Sequence, residues 1–93
     1  MAKYKVEHVS KRRFELQNQE GKTVGYMDYH EGVGSLHFDF VYVDPSYRGE
    51  KVGVEIVKEG IKMAKERKLK PQPICSYAAI IMRRNKWPEE FVG

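Results

Sequence analysis

The feature that most constrains this chain is a change of period. From Leu36 to Val43 apolar side chains alternate, with Leu36, Phe38, Phe40 and Tyr42 on one face and His37, Asp39, Val41 and Val43 on the other, the two-residue repeat of a strand. From Val52 to Arg67 the repeat becomes that of a helix. Ile56, Val57, Gly60, Ile61 and Ala64 fall on one stripe, while Glu55, Lys58, Glu59, Lys62, Lys65 and Glu66 fall opposite. Asp44 and Pro45 separate the two, because proline gives no amide hydrogen to a ladder and restricts the residue before it. The chain is thus built around a strand that passes through a tight turn into an amphipathic helix. The Leu36 face is expected in the core. The opposite face, apolar only towards Val43, is expected under a helix or a ligand.

Other elements follow from the same patterns. Arg13 to Gln17 sets Phe14 and Leu16 against Glu15 and Gln17, residues 18–21 read as a turn, Thr23 to Tyr29 as a strand, and residues 31–34 as the next turn. Three strands in series predict an antiparallel meander. Pro71 and Pro73 bracket an extended segment that reaches Ile74 and Cys75, a composition tolerated at a sheet edge. Ser76 to Asn85 reads as a second helix with Ser76 as its N-cap, and the tail carries Trp87, Phe91 and Val92. Strands, helix, strand, helix: the fold class is α+β.

A chain of 93 residues has room for one domain, spanning 1–93, and none for a second catalytic domain. Apolar residues make up 41%, enough for a core. The longest apolar run, Tyr77 to Met82, is far short of the ~20 residues of a membrane span, and the basic residues 1–13 lack the apolar stretch of an export signal. A soluble, cytoplasmic protein without membrane partners is expected. Cys75 is the single cysteine, so neither an internal disulfide nor a cysteine-based zinc site can form. His8, His30 and His37 show no metal-ligand spacing, are read as structural or exposed, and no metal is expected. Seventeen basic against thirteen acidic residues leave a net charge of +4, which attracts anions. The basic residues form short clusters among acids, at Lys11 to Arg13, Lys65 to Lys70 and Arg83 to Lys86. A small polyanion fits that charge at least as well as nucleic acid does.

The segment from Val41 to Gly53 joins an apolar strand end to a basic, glycine-containing helix start. The first amides of a helix have no internal partner and the helix dipole is positive there, so such a turn suits phosphate. Gly49 and Gly53 permit close approach, and Arg48 and Lys51 add full charges. No Gly-Lys-Ser/Thr or GxGxxG follows, so this is not a Walker or dinucleotide loop. Local physics also allows a plain solvated turn, with Gly49 set by backbone geometry and Gly53 by packing.

The order Val43-Asp-Pro-x-Tyr-Arg-Gly-x-x-Val-Gly53, then an amphipathic helix, then Pro73-x-Cys-x-Tyr77 resembles the small GNAT-like N-acetyltransferases, which consist of little more than an acetyl-CoA-binding core. The resemblance covers roughly residues 13 to 92. It implies a GNAT-like sandwich with two helices, whose mostly antiparallel sheet parts between the strand ending at Val43 and the one ending at Cys75. Acetyl-CoA is then the cosubstrate and an amine the acceptor. Pantetheine would pair with backbone near Tyr42 and Val43, and pyrophosphate would lie on Arg48, Gly49, Glu50, Lys51, Val52 and Gly53, with Asn85 near the CoA phosphates. Cys75 matches the family's cysteine beside the thioester, a candidate acetyl acceptor or acid near the leaving sulfur, and its place at a helix start would favour the thiolate. Tyr77 is a candidate proton donor to that sulfur. Without the resemblance, Cys75 reads first as a small buried hydrophobe and Tyr77 equally as a core residue. Two departures stand out. Lys51 replaces the family's central glycine, and Phe40 and Val41 stand where the small family carries His-Thr, with His37 too early to replace it. Two other classes fit the sequence: a CoA-binding or protein-interaction module without efficient catalysis, and a small basic nucleic-acid binder stacking bases on exposed aromatics.

Overall fold

The structure, a computed structural model, describes residues 4–86, and of Arg48, Gly49 and Glu50 the backbone only; Trp87, Phe91 and Val92 lie outside the described residues. A five-stranded sheet runs in chain order: β1 (Lys5–Ser10), β2 (Arg13–Gln17), β3 (Thr23–Gly32), β4 (Ser35–Val43) and β5 (Lys70–Pro73). The first four pair antiparallel and β5 pairs parallel to β4. The crossover is α1 (Val52–Glu66), and α2 (Ser76–Arg84) follows β5. This is the expected α+β order with one strand more. β1 escapes a sequence reading because it is an edge strand with almost every side chain exposed, so it carries no buried repeat. β3 also runs three residues further than Tyr29, and the turn after it shrinks to Val33 and Gly34.

The helical stripe behaves as its spacing requires. Ile56, Val57, Ile61 and Ala64 are fully buried against Phe14, Met27, Leu36 and Phe38, while Glu55, Lys58, Lys62, Lys65 and Glu66 face solvent. Gly25 lets the helix start lie close to the sheet. A Cβ there would come within 2.6 Å of the Tyr42 carbonyl oxygen and of Ile56 Cδ1. The N-terminus of α1 is thereby held beside the end of β4.

The alternation along β4 does not run through. Asp28 pairs with Phe40 but Tyr29 pairs with Phe38, which leaves Asp39 as an extra residue on β4. This β-bulge reverses the faces. Leu36 and Phe38 are fully buried below it, and Val41 and Val43 are buried above it. Phe40 and Tyr42, expected in the core, are instead 47% and 38% exposed on the outer face of the sheet. Among the described residues, no helix is long and apolar enough to cross a membrane.

Candidate functional site: a cleft where β4 and β5 part

β5 accompanies β4 only from Ser35 to Phe38. The amides of Ile74 and Cys75 then both donate to the Phe38 carbonyl, at 3.0 and 2.9 Å, and the chain turns into α2. From Phe40 to Val43 the far edge of β4 has no strand beside it among the described residues. The sheet therefore parts as expected, although β5 ends at Pro73 and the opening begins just past Phe38. A cleft of about 480 Å³ fills it, lined by Phe40, Val41, Tyr42, Val43 and Tyr77. Its walls are an extended backbone edge and apolar rings, a shape suited to a linear amide-bearing chain.

At the open end of β4 the backbone is fixed tightly. The Asp44 amide donates to the Val24 carbonyl at 2.8 Å, and the Asp44 carbonyl accepts from the Tyr47 amide at 2.8 Å. The Asp44 carboxylate accepts from the Ser46 amide at 2.8 Å and lies 3.7 Å from the Lys22 ammonium. The Ser46 hydrogen bond foremost, and the Lys22 charge after it, hold this carboxyl below its ordinary range. Pro45–Glu50 form a turn of 3-10 helix, and Lys51 then takes the left-handed conformation, φ 60° and ψ 26°. A right-handed residue followed by a left-handed one turns successive amides into a concavity that suits an anion. The first helical bond of α1 runs from the Glu55 amide to the Lys51 carbonyl at 3.1 Å, so the amides of residues 52–54 precede it.

The expected phosphate residues divide accordingly. Val52 is buried, and a Cβ on Gly53 would collide with the Tyr77 hydroxyl. These two positions therefore offer a ligand their backbone and no side chain. Packing accounts for Gly53. Lys51 is exposed and makes no capping bond, and its backbone supplies a physical reason for glycine at this position: positive φ costs an ordinary residue on the order of 1 kcal/mol. Arg48, Gly49 and Glu50 contribute the backbone of the 3-10 turn.

Cys75, rather than Ser76, is the N-cap of α2, and its sulfur makes no capping bond. It is half-buried against the core, next to the point where the strands part. Tyr77, one residue into α2, is 41% exposed and is no core tyrosine. Its ring walls the cleft and its hydroxyl lies over Gly53 at the start of α1. Asn85 is not a cleft residue. Its side-chain amide donates to the Ile81 carbonyl at 2.8 Å, and Asn85 lies ~15 Å along α2 from Cys75 at the helical rise per residue.

Outside the cleft, Asp39 lies on the outer sheet face with His37, as alternation from Phe38 requires, and there sequence reading placed no site. His30 Nδ1 and Asp39 Oδ2 are 2.7 Å apart. The His30 and His37 rings stack with centroids 4.5 Å apart and planes 3° apart, and His37 Nε2 is 3.0 Å from the Ser35 hydroxyl. Beside them Tyr26 stacks on Tyr42 at 5.2 Å, and the Arg13 guanidinium lies 3.9 Å over the Tyr26 ring. A hydrogen bond to Asp28 raises that guanidinium's pKa further. His30 and His37 are seven residues apart, and only strand register brings them together. The available signal was Asp39 amid apolar residues, followed by the adjacent pair Phe40-Val41, which breaks the alternation. Among the described residues, no three His, Cys, Asp or Glu side chains converge as metal ligands.

Comparison with known proteins agrees with this fold. A family model described as GCN5-related N-acetyl-transferase matches residues 13–90. No protein with a curated description matches the sequence. Among solved structures, a Staphylococcus aureus protein, GCN5-like and proposed to be an N-acetyltransferase, superposes with a TM-score of 0.74 at 18% identity, over 98% of this chain and 89% of its own. A proposed acyl-CoA N-acyltransferase from Klebsiella pneumoniae gives 0.65 at 22% identity, over 78% of this chain and 54% of its own. A GCN5-related N-acetyltransferase from Sphaerobacter thermophilus gives 0.63 at 18% identity, over 84% of this chain and 29% of its own. At these identities the likeness is one of fold, and the chain spans about half or less of the two larger proteins.

Proposed function

The chain belongs to the GCN5-related N-acetyltransferase family, and from that premise we propose that it binds acetyl-CoA in the cleft between β4 and β5 and passes the acetyl group to an amine. The observation that carries this reading is the junction of two features. A strand edge from Phe40 to Val43, unpaired among the described residues, runs directly into a concavity of amides at Lys51 and the start of α1. A pantetheine chain needs the first and a pyrophosphate the second.

In this reading the backbone at Tyr42 and Val43 pairs with pantetheine amides, and the amides from Arg48 to Gly53 hold pyrophosphate. The Lys51 ammonium pairs with a phosphate oxygen, since a flexible lysine can swing clear of the backbone and still reach it. Cys75 lies where the cleft ends. Its thiolate attacks the acetyl carbonyl, a new C–S bond to Sγ forms, the C–S bond to CoA breaks, and the CoA thiolate leaves with a proton from Tyr77. The exchange is easy because the bond broken and the bond formed are of one type. The amine then takes the acetyl group from Cys75. In this reading the acceptor class is a small amine or a protein lysine.

Incubation with acetyl-CoA tests the covalent step. One acetyl group should appear in the intact mass, reverse with hydroxylamine, form faster as pH rises through thiol ionisation, and be absent from Cys75→Ala. Acetylation confined to lysines, with Cys75→Ala behaving like the parent, would remove the covalent step and leave direct transfer from CoA. Binding separates the remaining classes. Saturable affinity for CoA supports this reading, whereas steeply salt-dependent affinity for oligonucleotides and none for CoA would replace it.

A further inference from the structure

We propose that His30 is the base that takes the proton from the acceptor amine, held for that task by Asp39; the inference rests on the acetyl-transfer reading above. An alkylamine like that of lysine, with a pKa of ~10.4, is almost wholly protonated at neutral pH and cannot attack until a proton is removed. Among the described residues, the cleft lining, Phe40 to Val43 and Tyr77, contains no carboxylate or imidazole to accept it. An acid–base pair, His30 and Asp39, stands on the outer face beside Phe40, where the cleft wall begins.

Strand register produces this placement. Asp39 follows Phe38, whose carbonyl receives the Cys75 amide, and precedes Phe40, the first residue of the cleft wall. Its carboxylate can only accept, so the 2.7 Å contact puts the proton of neutral His30 on Nδ1 and leaves the Nε2 lone pair free. His37 lies flat against the imidazole at 4.5 Å and is itself tied to Ser35, which holds the His30 ring in one plane. The His30 side chain is 44% exposed, so Nε2 can be reached. β3 is one strand from β4, with strands ~4.8 Å apart, and a bridging water would carry the proton from the parted edge to Nε2. Base catalysis works directly or through one such water.

The step balances. The ammonium gives one proton to His30 Nε2, and the neutral nitrogen attacks the acetyl carbonyl of the thioester, on CoA or on Cys75. A C–N bond forms, the C–S bond breaks, the amine's second proton goes to the departing sulfur, and imidazolium releases its proton to water. Asp39 acts as a positioning residue that favours the required tautomer and stabilises the imidazolium formed.

The test uses the full chain with acetyl-CoA and two amine probes: butylamine, which is protonated at neutral pH, and trifluoroethylamine, whose fluorines keep it largely unprotonated. His30→Ala should lower kcat for butylamine by about 10²-fold or more without changing CoA affinity. Loss with trifluoroethylamine should be much smaller, and imidazole added to the buffer should restore part of the butylamine rate. Asp39→Asn should cost about tenfold, and His37→Gln no more than about threefold. A His30→Ala protein that acetylates butylamine like the parent overturns the assignment and leaves acetyl transfer intact. Equal losses with both amines and no rescue by imidazole overturn it as well, because they mark a structural role. A parent protein that binds CoA but acetylates neither amine overturns the base and the transferase reading together.

Discussion

Below Asp39, β4 has β3 on one side and β5 on the other, with Leu36 and Phe38 fully buried. Above Asp39 the same strand keeps β3 but faces an open cleft on its other edge, and two of its aromatic rings are exposed. The lower half spends its backbone groups on a ladder and its side chains on the core, so it fixes the position of everything attached. Among the described residues the upper half keeps one edge unpaired, a liability in most sheets and an opportunity where a ligand with amides can complete the ladder. One extra residue and the early end of β5 separate scaffold from site.

Truncating a ring in each half should expose that division most strongly. Phe38→Ala empties a fully buried position and should cost ~3 to 5 kcal/mol of folding stability in urea denaturation. Tyr42→Ala, at the exposed ring, should cost about 1 kcal/mol or less while weakening CoA binding. Equal losses of stability would mean that the upper half is also scaffold.

The contrast also shows what a sequence can carry. The stripe of α1 was legible because Ile56, Val57, Ile61 and Ala64 all meet one core, with no irregularity between Val52 and Glu66. The parting of the sheet and the turn at Asp44 were legible too, through proline chemistry and the family resemblance. The faces of Phe40 and Tyr42 were not, because a period-two reading assumes an unbroken ladder and the bulge lies in the pairing with β3. β1 offered no buried repeat. The His30, His37 and Asp39 cluster is a product of register alone, and the cap at Cys75 depends on where β5 stops.

Lys51→Gly sharpens the comparison at the site end. Glycine relieves the left-handed backbone at φ 60°, so stability should rise by up to ~1 kcal/mol. CoA affinity should fall and lose part of its salt dependence, because a phosphate partner is gone. Tighter binding would mean that the lysine side chain obstructs the cofactor, and unchanged affinity would place the pyrophosphate elsewhere.

The smallest effect belongs to Asp44, which fixes the turn between the halves. Its carboxyl is held below the ordinary range, chiefly by the Ser46 amide. Its stabilising contribution is therefore complete above the unfolded value of ~3.9 and is lost as pH falls towards the lower folded value. Comparing urea midpoints of the parent and Asp44→Asn from pH 7 to pH 3 should show a gap at neutral pH that narrows in acid. A gap that widens in acid would reverse the assignment.

Titrating the labelled protein with CoA while following backbone amide shifts tests the central claim most directly. The account predicts shifts concentrated at Tyr42, Val43 and residues 48–54, with residues 35–38 of the same strand nearly still. Shifts centred on Lys11, Arg12 and Arg13, with the upper half of β4 unmoved, would show unspecific attraction of an anion to a basic surface and would contradict it.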